Sequence, residues 1–131
     1  MSKPILDIEI RTPDEATTTV KAVFDTGSFY TIVREDRVPS PAAIIRRKAP
    51  RTLRAAARGS QLTAIGEVSL VLSIGDRQID DIALVSPELA QEMLVGAGTM
   101  QKWDISILNR GGHTEVTVGR DMHDPDITEV D

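Results

Sequence analysis

An all-β, single-domain protein is what this sequence predicts, and three observations carry that expectation. Apolar and polar residues alternate at period two in several separate stretches, β-branched residues concentrate there, and Gly, Asp, Asn and Pro punctuate the gaps. The length of 131 residues suits one core and is too short for two. Hydrophobic residues at 40% and charged residues at 27% are ordinary globular usage, which indicates neither a disordered chain nor a membrane protein.

Leu6, Ile8 and Ile10 alternate in the first stretch, ILDIEIRT, which predicts a strand. The turn signal TPDE separates it from TTTVKAVFD, a second strand rich in Thr and Val that runs into Asp25-Thr26-Gly27. FYTIV is β-prone again, and REDRVPSPAA has the charges and prolines of an exposed connection. From Ala43 to Leu62 the residues alone leave two possibilities open: RTLRAAAR suits a short helix by propensity, whereas Ala42 to Ile45 and the flanking prolines do not. Val68, Leu70, Leu72 and Ile74, the Gly75-Asp76 turn and Gln78 to Val85 read as a hairpin. Pro87 to Glu92 is a loop or one helical turn before Leu94-Val95-Gly96; Thr99 to Trp103 has helical composition. Asp104 to Leu108 and His113 to Val118 alternate on either side of the Asn109–Gly112 turn. A domain over 1–120 is expected, and residues 121–131, with five acids and no Lys or Arg, are expected to be a flexible tail.

The absence of cysteine excludes disulfides, thiolate nucleophiles and Cys-based zinc sites, and is neutral to weakly favourable for a reducing compartment. The first residues reach Asp and Glu before any apolar stretch long enough for a signal-peptide core, and no apolar run approaches a membrane span, so the expected location is cytoplasmic. Within a net charge of -5, Arg46, Arg47, Lys48, Arg51, Arg54 and Arg58 cluster in one segment. That segment lacks interleaved aromatics, and aromatics are 3% of the chain, so a solvated face or recognition of acidic substrate side chains is expected rather than nucleic-acid binding.

An Asp-Thr-Gly tripeptide is a weak signal, expected by chance in about one chain of this length in forty. Asp accepting backbone hydrogen bonds and Gly supplying an unusual φ make a plain turn without chemistry. Here, however, the turn follows Ala22-Val23-Phe24, is flanked by Ser28, and is matched about seventy residues later by Leu94-Val95-Gly96 leading into a helical stretch. On these features, and on AARGSQLTAIGEVSLVLSIGDRQIDDIALV followed by EMLVGAGTMQKWDISI, the sequence resembles the retropepsin-like aspartic proteases from about Ile5 to Val118, in particular their cellular and bacterial branch.

The resemblance implies a closed, barrel-like acid-protease fold equivalent to one pepsin-type lobe, with a flap hairpin, one short helix and C2 homodimeric assembly. Leu53 to Leu62 would form the flap, with Arg58, Gly59 and Ser60 near its tip and in contact with substrate. Gly98 departs from the family pattern, in which Asp or Asn is common there, and Ala97 sits where a larger residue is frequent. Both departures touch the hydrogen bonds that usually brace the catalytic turn.

Hydrolysis by two carboxylates needs one ionised group to take a proton from water and one protonated group to donate to the carbonyl oxygen; aspartic proteases are the standing example of such sharing. The chain holds one Asp-Thr-Gly and no second Asp in a comparable setting, so a working pair requires Asp25 from each of two copies across a twofold axis. The resemblance assigns Thr26 a hydrogen bond across the dimer, Gly27 close backbone approach, and Ser28 an orienting or substrate-binding role. No metal or organic cofactor is expected; the expected partners are a second copy of the chain and an extended polypeptide, with neither nucleic acid nor membrane. Ile5–Arg11 and Thr114–Gly119 are the candidate strands for the dimer contact. The alternative is a non-proteolytic dimerisation or peptide-binding module that keeps the fold. His113 and His123 have no motif that would serve a serine nucleophile at Ser28 or Ser60, and Trp103 reads as a core anchor.

Overall fold

The structure, a computed structural model, describes residues 3–54 and 61–125. Ten elements follow one another: β1 (Ile5–Arg11), β2 (Thr17–Asp25), β3 (Ile32–Arg34), β4 (Ile45–Arg54), β5 (Gln61–Ile74), β6 (Arg77–Ser86), β7 (Met93–Gly96), α1 (Ala97–Lys102), β8 (Ile105–Arg110) and β9 (His113–Val118). Two single 3-10 turns, Glu35–Arg37 and Pro41–Ala43, fill the charged, proline-bearing connection after β3.

Six strands in the order β1-β2-β7-β3-β6-β5 form a sheet that closes on itself where β1 pairs with β5. The all-β expectation is met, with one short helix. Alternation decides which side chains face inward. Ile8 and Ile10 of β1, Val20, Ala22 and Phe24 of β2, and Val68, Leu70, Leu72 and Ile74 of β5 all join the main buried cluster, while their polar neighbours face out.

β5 is unusually long, and its length produces a projection from the barrel. Its second half pairs with β1 at Val71–Ser73, whereas its first half pairs antiparallel with β4 from Gln61 to Glu67, and pairing with β6 begins only at Gly66. The two arms therefore run past the barrel as a two-stranded hairpin. This resolves the segment that the residues alone left open: Arg51–Arg54 is strand, not helix, because Leu53 is buried with Ile32, Ala64, Leu84, Leu89 and Leu94 in a second cluster under the arm. The expected tip residues Arg58, Gly59 and Ser60 lie outside the described residues.

Two expectations are corrected. The β-prone FYTIV yields a strand only at Ile32–Arg34, because the carbonyls of Ser28 and Phe29 bond to Ala97 and Gly98 N–H at the start of α1 instead of to a strand. The segment after Arg120 is not free throughout: Met122 N–H donates to the Gln78 carbonyl, and Asp121 is buried against the start of β6. Its Oδ2 accepts the Gln78 N–H and lies 3.2 Å from Arg77 Nε, while Oδ1 accepts the His123 N–H. Among the described residues, no helix is long and apolar enough to cross a membrane.

That docking has a pH signature. Burial disfavours the Asp121 charge, but the bonds from His123 and Gln78 N–H and the charge of Arg77 outweigh it and hold the carboxyl below its ordinary value. A group depressed in this way contributes stability above its unfolded pKa of about 3.9 and loses it as pH falls through the folded value. Asp121→Asn is therefore expected to melt at a lower temperature than wild type near pH 7. The gap should close as thermal scans are taken below about pH 4.

Candidate active site

Phe24 is fully buried in the barrel, and the chain emerges one residue later, so Asp25 stands at the end of β2 with its side chain 15% exposed. β2 runs parallel to β7 in a register that pairs Val23 with Leu94, Phe24 with Val95 and Asp25 with Gly96. The two apolar-apolar units singled out in the sequence thus lie side by side. Gly27 N–H donates to Asp25 Oδ1 at 2.9 Å, and Ser28 N–H donates to the Asp25 carbonyl at 3.2 Å, which closes the turn. Asp25 Oδ2 accepts from Lys3 Nζ at 2.9 Å, a contact no sequence motif announces.

Thr26 is exposed beside a cavity of about 350 Å3 that Ala97, Met100, Asp104, Ile105 and Ile107 also line. Ser28 does not orient the carboxylate: its Oγ donates to the Tyr30 carbonyl at 3.0 Å, and the orienting bond comes from Gly27 N–H. The structure therefore brings Asp25, Thr26, Gly27 and Ser28 together in one turn and gives Ser28 a different local partner.

A brace holds this turn against β7, though not through position 98. Gly96 N–H donates to Thr31 Oγ1 at 3.1 Å; Thr31 Oγ1 and Thr99 Oγ1 are 2.5 Å apart; Thr99 Oγ1 donates to Asp81 Oδ2 at 2.6 Å. Each hydroxyl has one proton, and that of Thr99 goes to Asp81, so Thr31 is the donor to Thr99. Both threonines are buried. Thr99, the neighbour of Gly98, thus carries hydrogen bonds that link β7, Thr31 and Asp81. Gly98 itself makes room for Phe29, since a Cβ there would lie 3.1 Å from both the ring and the carbonyl oxygen of Phe29.

The sequence reading missed Thr31, Thr99 and Asp81. The available signal was a polar residue immediately before the buried Ile32-Val33 and another inside the helical stretch after the second glycine. Thr31→Val keeps the shape but strands the Gly96 N–H and removes a donor from Thr99. A loss of about 1–3 kcal/mol is expected in urea denaturation, with Thr31→Ser largely retaining stability.

Trp103 ends α1, packs against the main cluster and donates from Nε1 to the Asp80 carbonyl at 3.0 Å. His123 Nε2 shares a hydrogen bond with Gln78 Oε1, and His113 is exposed at the start of β9.

A closed barrel with a hairpin arm and an Asp-bearing turn set beside an apolar-Gly strand is the retropepsin-like fold. The structure is similar to that of EIAV protease complexed with the inhibitor HBY-793, with a TM-score of 0.59 and 13% identity over 82% of this chain and 94% of that one. It is also similar to the retroviral protease-like domain of Ddi1 from Leishmania major, with a TM-score of 0.58 and 14% identity over 93% of this chain and 99% of that one. No protein-family model matches the sequence, and no curated protein matches it.

Proposed function

We propose that the protein is a cytoplasmic, homodimeric aspartic endopeptidase of the cellular and bacterial retropepsin branch. Its proposed centre pairs Asp25 carboxylates from two copies. The observation that carries this reading is the placement of Asp25 within the retropepsin-like fold: at the end of a buried strand, one oxygen is fixed by Gly27 N–H and the other, among the described residues, meets only the exposed, flexible Lys3.

In the proposed reaction, one carboxylate takes a proton from water as the water oxygen bonds to the peptide carbonyl carbon. The other carboxyl donates its proton to the carbonyl oxygen; the C–N bond then breaks as the amine nitrogen gains a proton. An acidic-to-neutral optimum is expected, because the reaction needs one carboxyl protonated and the other ionised. Thr26 contacts the partner, Gly27 positions the carboxylate, and Ser28 with Arg58, Gly59 and Ser60 of the flap borders an extended substrate. No metal or cofactor takes part in this proposal.

For the dimer contact, the structure favours one of the two candidate strands. β1 is paired on both sides at Glu9–Arg11, whereas the hairpin of β8 and β9 pairs only within itself among the described residues. The β9 edge, which has no strand partner other than β8 among the described residues, is therefore the proposed contact.

The test is incubation of wild type and Asp25→Asn with a diverse peptide mixture from about pH 4 to 8, reading new termini by mass spectrometry. Cleavage confined to wild type supports the endopeptidase. The ion pair of Lys3 with Asp25 favours the second reading, a peptide-binding or dimerisation module whose carboxylate is only structural. Absence of cleavage from dimeric wild type would select it.

A further inference from the structure

The chain has four aromatic residues, and two of them stand exposed just past the candidate catalytic turn. Phe29 is 63% and Tyr30 38% accessible, packed edge to face with ring centroids 5.3 Å apart. Arg51 reaches them from the hairpin arm: its Cζ lies 4.7 Å from the Tyr30 ring centroid, and its Nη2 donates to the Tyr30 hydroxyl at 2.5 Å. Arg51 and Leu53 lie on the same face of β4, and Leu53 is buried with Ile32 and with Leu94, which pairs with Val23 of the strand leading into Asp25. Arg51 therefore bridges the arm and the segment that follows the turn carrying Asp25.

A guanidinium has five N–H donors, and the Tyr30 hydroxyl uses one. Its planar fork suits the two oxygens of a carboxylate, and the ring beneath it keeps the fork oriented. The rest of β4 adds Arg46, Arg47, Lys48 and Arg54 and no acid, and among the described residues the ion pair on this strand is that of Arg46 with Glu35. The arm thus presents unbalanced positive charge beside exposed aromatic surface.

We infer that Arg51, seated on Tyr30, is a specificity determinant that selects extended peptides with an Asp or Glu side chain, whose neighbouring residue packs on Phe29. This inference rests on the proposed function, in which an extended peptide lies beside the Asp25 turn and the arm. Binding and cleavage are measured separately so that the two can fail separately. An octapeptide library with Glu, Gln or Lys fixed at each position in turn is offered to wild type for cleavage. The same library is offered to Asp25→Asn for binding, each with Arg51 intact or replaced by Gln or Lys.

At one position, Glu is expected to be preferred over Gln by about three- to tenfold, a preference lost in Arg51→Gln and partly kept in Arg51→Lys. Thermal melts establish that each variant is folded. Cleavage with equal use of Glu and Gln, or a Glu preference untouched by Arg51→Gln, overturns the inference and leaves the endopeptidase standing. Arg51-dependent binding of acidic peptides without wild-type cleavage supports the inference and overturns the protease reading. Neither binding nor cleavage overturns both.

Discussion

Asp25→Asn is expected to lower peptide hydrolysis by about 10³-fold or more while leaving the domain folded, because general acid–base work is removed but little else changes. Asn keeps an oxygen to accept the Gly27 N–H, and the bond lost to the exposed Lys3 is of a kind worth about 0–1 kcal/mol. Denaturation midpoints of the two proteins should therefore nearly coincide. The paired-carboxylate proposal makes a sharper demand on mixtures. If each active centre needs two intact copies, equal mixing and exchange of wild type with the Asn variant leaves about a quarter of the dimers active. Self-sufficient protomers would keep half of the chains working. Rate measured against mixing ratio distinguishes a squared dependence on wild-type fraction from a linear one, and a linear result would remove the shared dyad even if Asp25 proved essential.

Much of this site was legible because strand periodicity and turn chemistry are local properties. The alternation in ILDIEIRT, TTTVKAVFD and the 68–85 hairpin fixed which residues face inward, and the observed cluster contains Ile8, Ile10, Phe24, Leu70 and Leu72 as that alternation requires. The match between Val23-Phe24-Asp25 and Leu94-Val95-Gly96 became a parallel register in space.

What stayed hidden depends on contacts between residues far apart in the chain. Thr31 and Thr99 are 68 positions apart and Arg51 and Tyr30 are 21 apart, and no periodicity in either segment announces the partner. The docking of Asp121 was missed for the same reason: an acidic, proline-bearing end reads as solvated unless Arg77 is known to lie beside it. Gly98 is a further case in which the decisive neighbour is not local. Its lack of a side chain answers to Phe29, while a hydrogen bond to Thr31 runs through the adjacent Thr99.

Gly96→Ala is expected to be the most damaging single methyl in the described chain. A Cβ at this position would fall on the Tyr30 carbonyl oxygen and lie 2.6 Å from that of Phe29, and both atoms belong to backbone. Neither oxygen can swing aside as a side chain can. Phe29's is bonded to Gly98 N–H, and Gly96's own N–H is held by Thr31, so relief requires parting β7 from the exit of the Asp25 turn. Overpacking ordinarily costs about 1–3 kcal/mol, and this contact is expected at or above about 3 kcal/mol because rigid segments meet on both sides. Gly98→Ala provides the contrast, since its closest neighbours include the edge of the exposed Phe29 ring, which can turn away. In urea titrations the Gly96 variant should be largely unfolded or shifted far below wild type, with the Gly98 variant between them. Two equal, small shifts would mean that the turn and β7 are not packed as closely as their register requires, and the brace through Thr31 and Thr99 would lose its purpose.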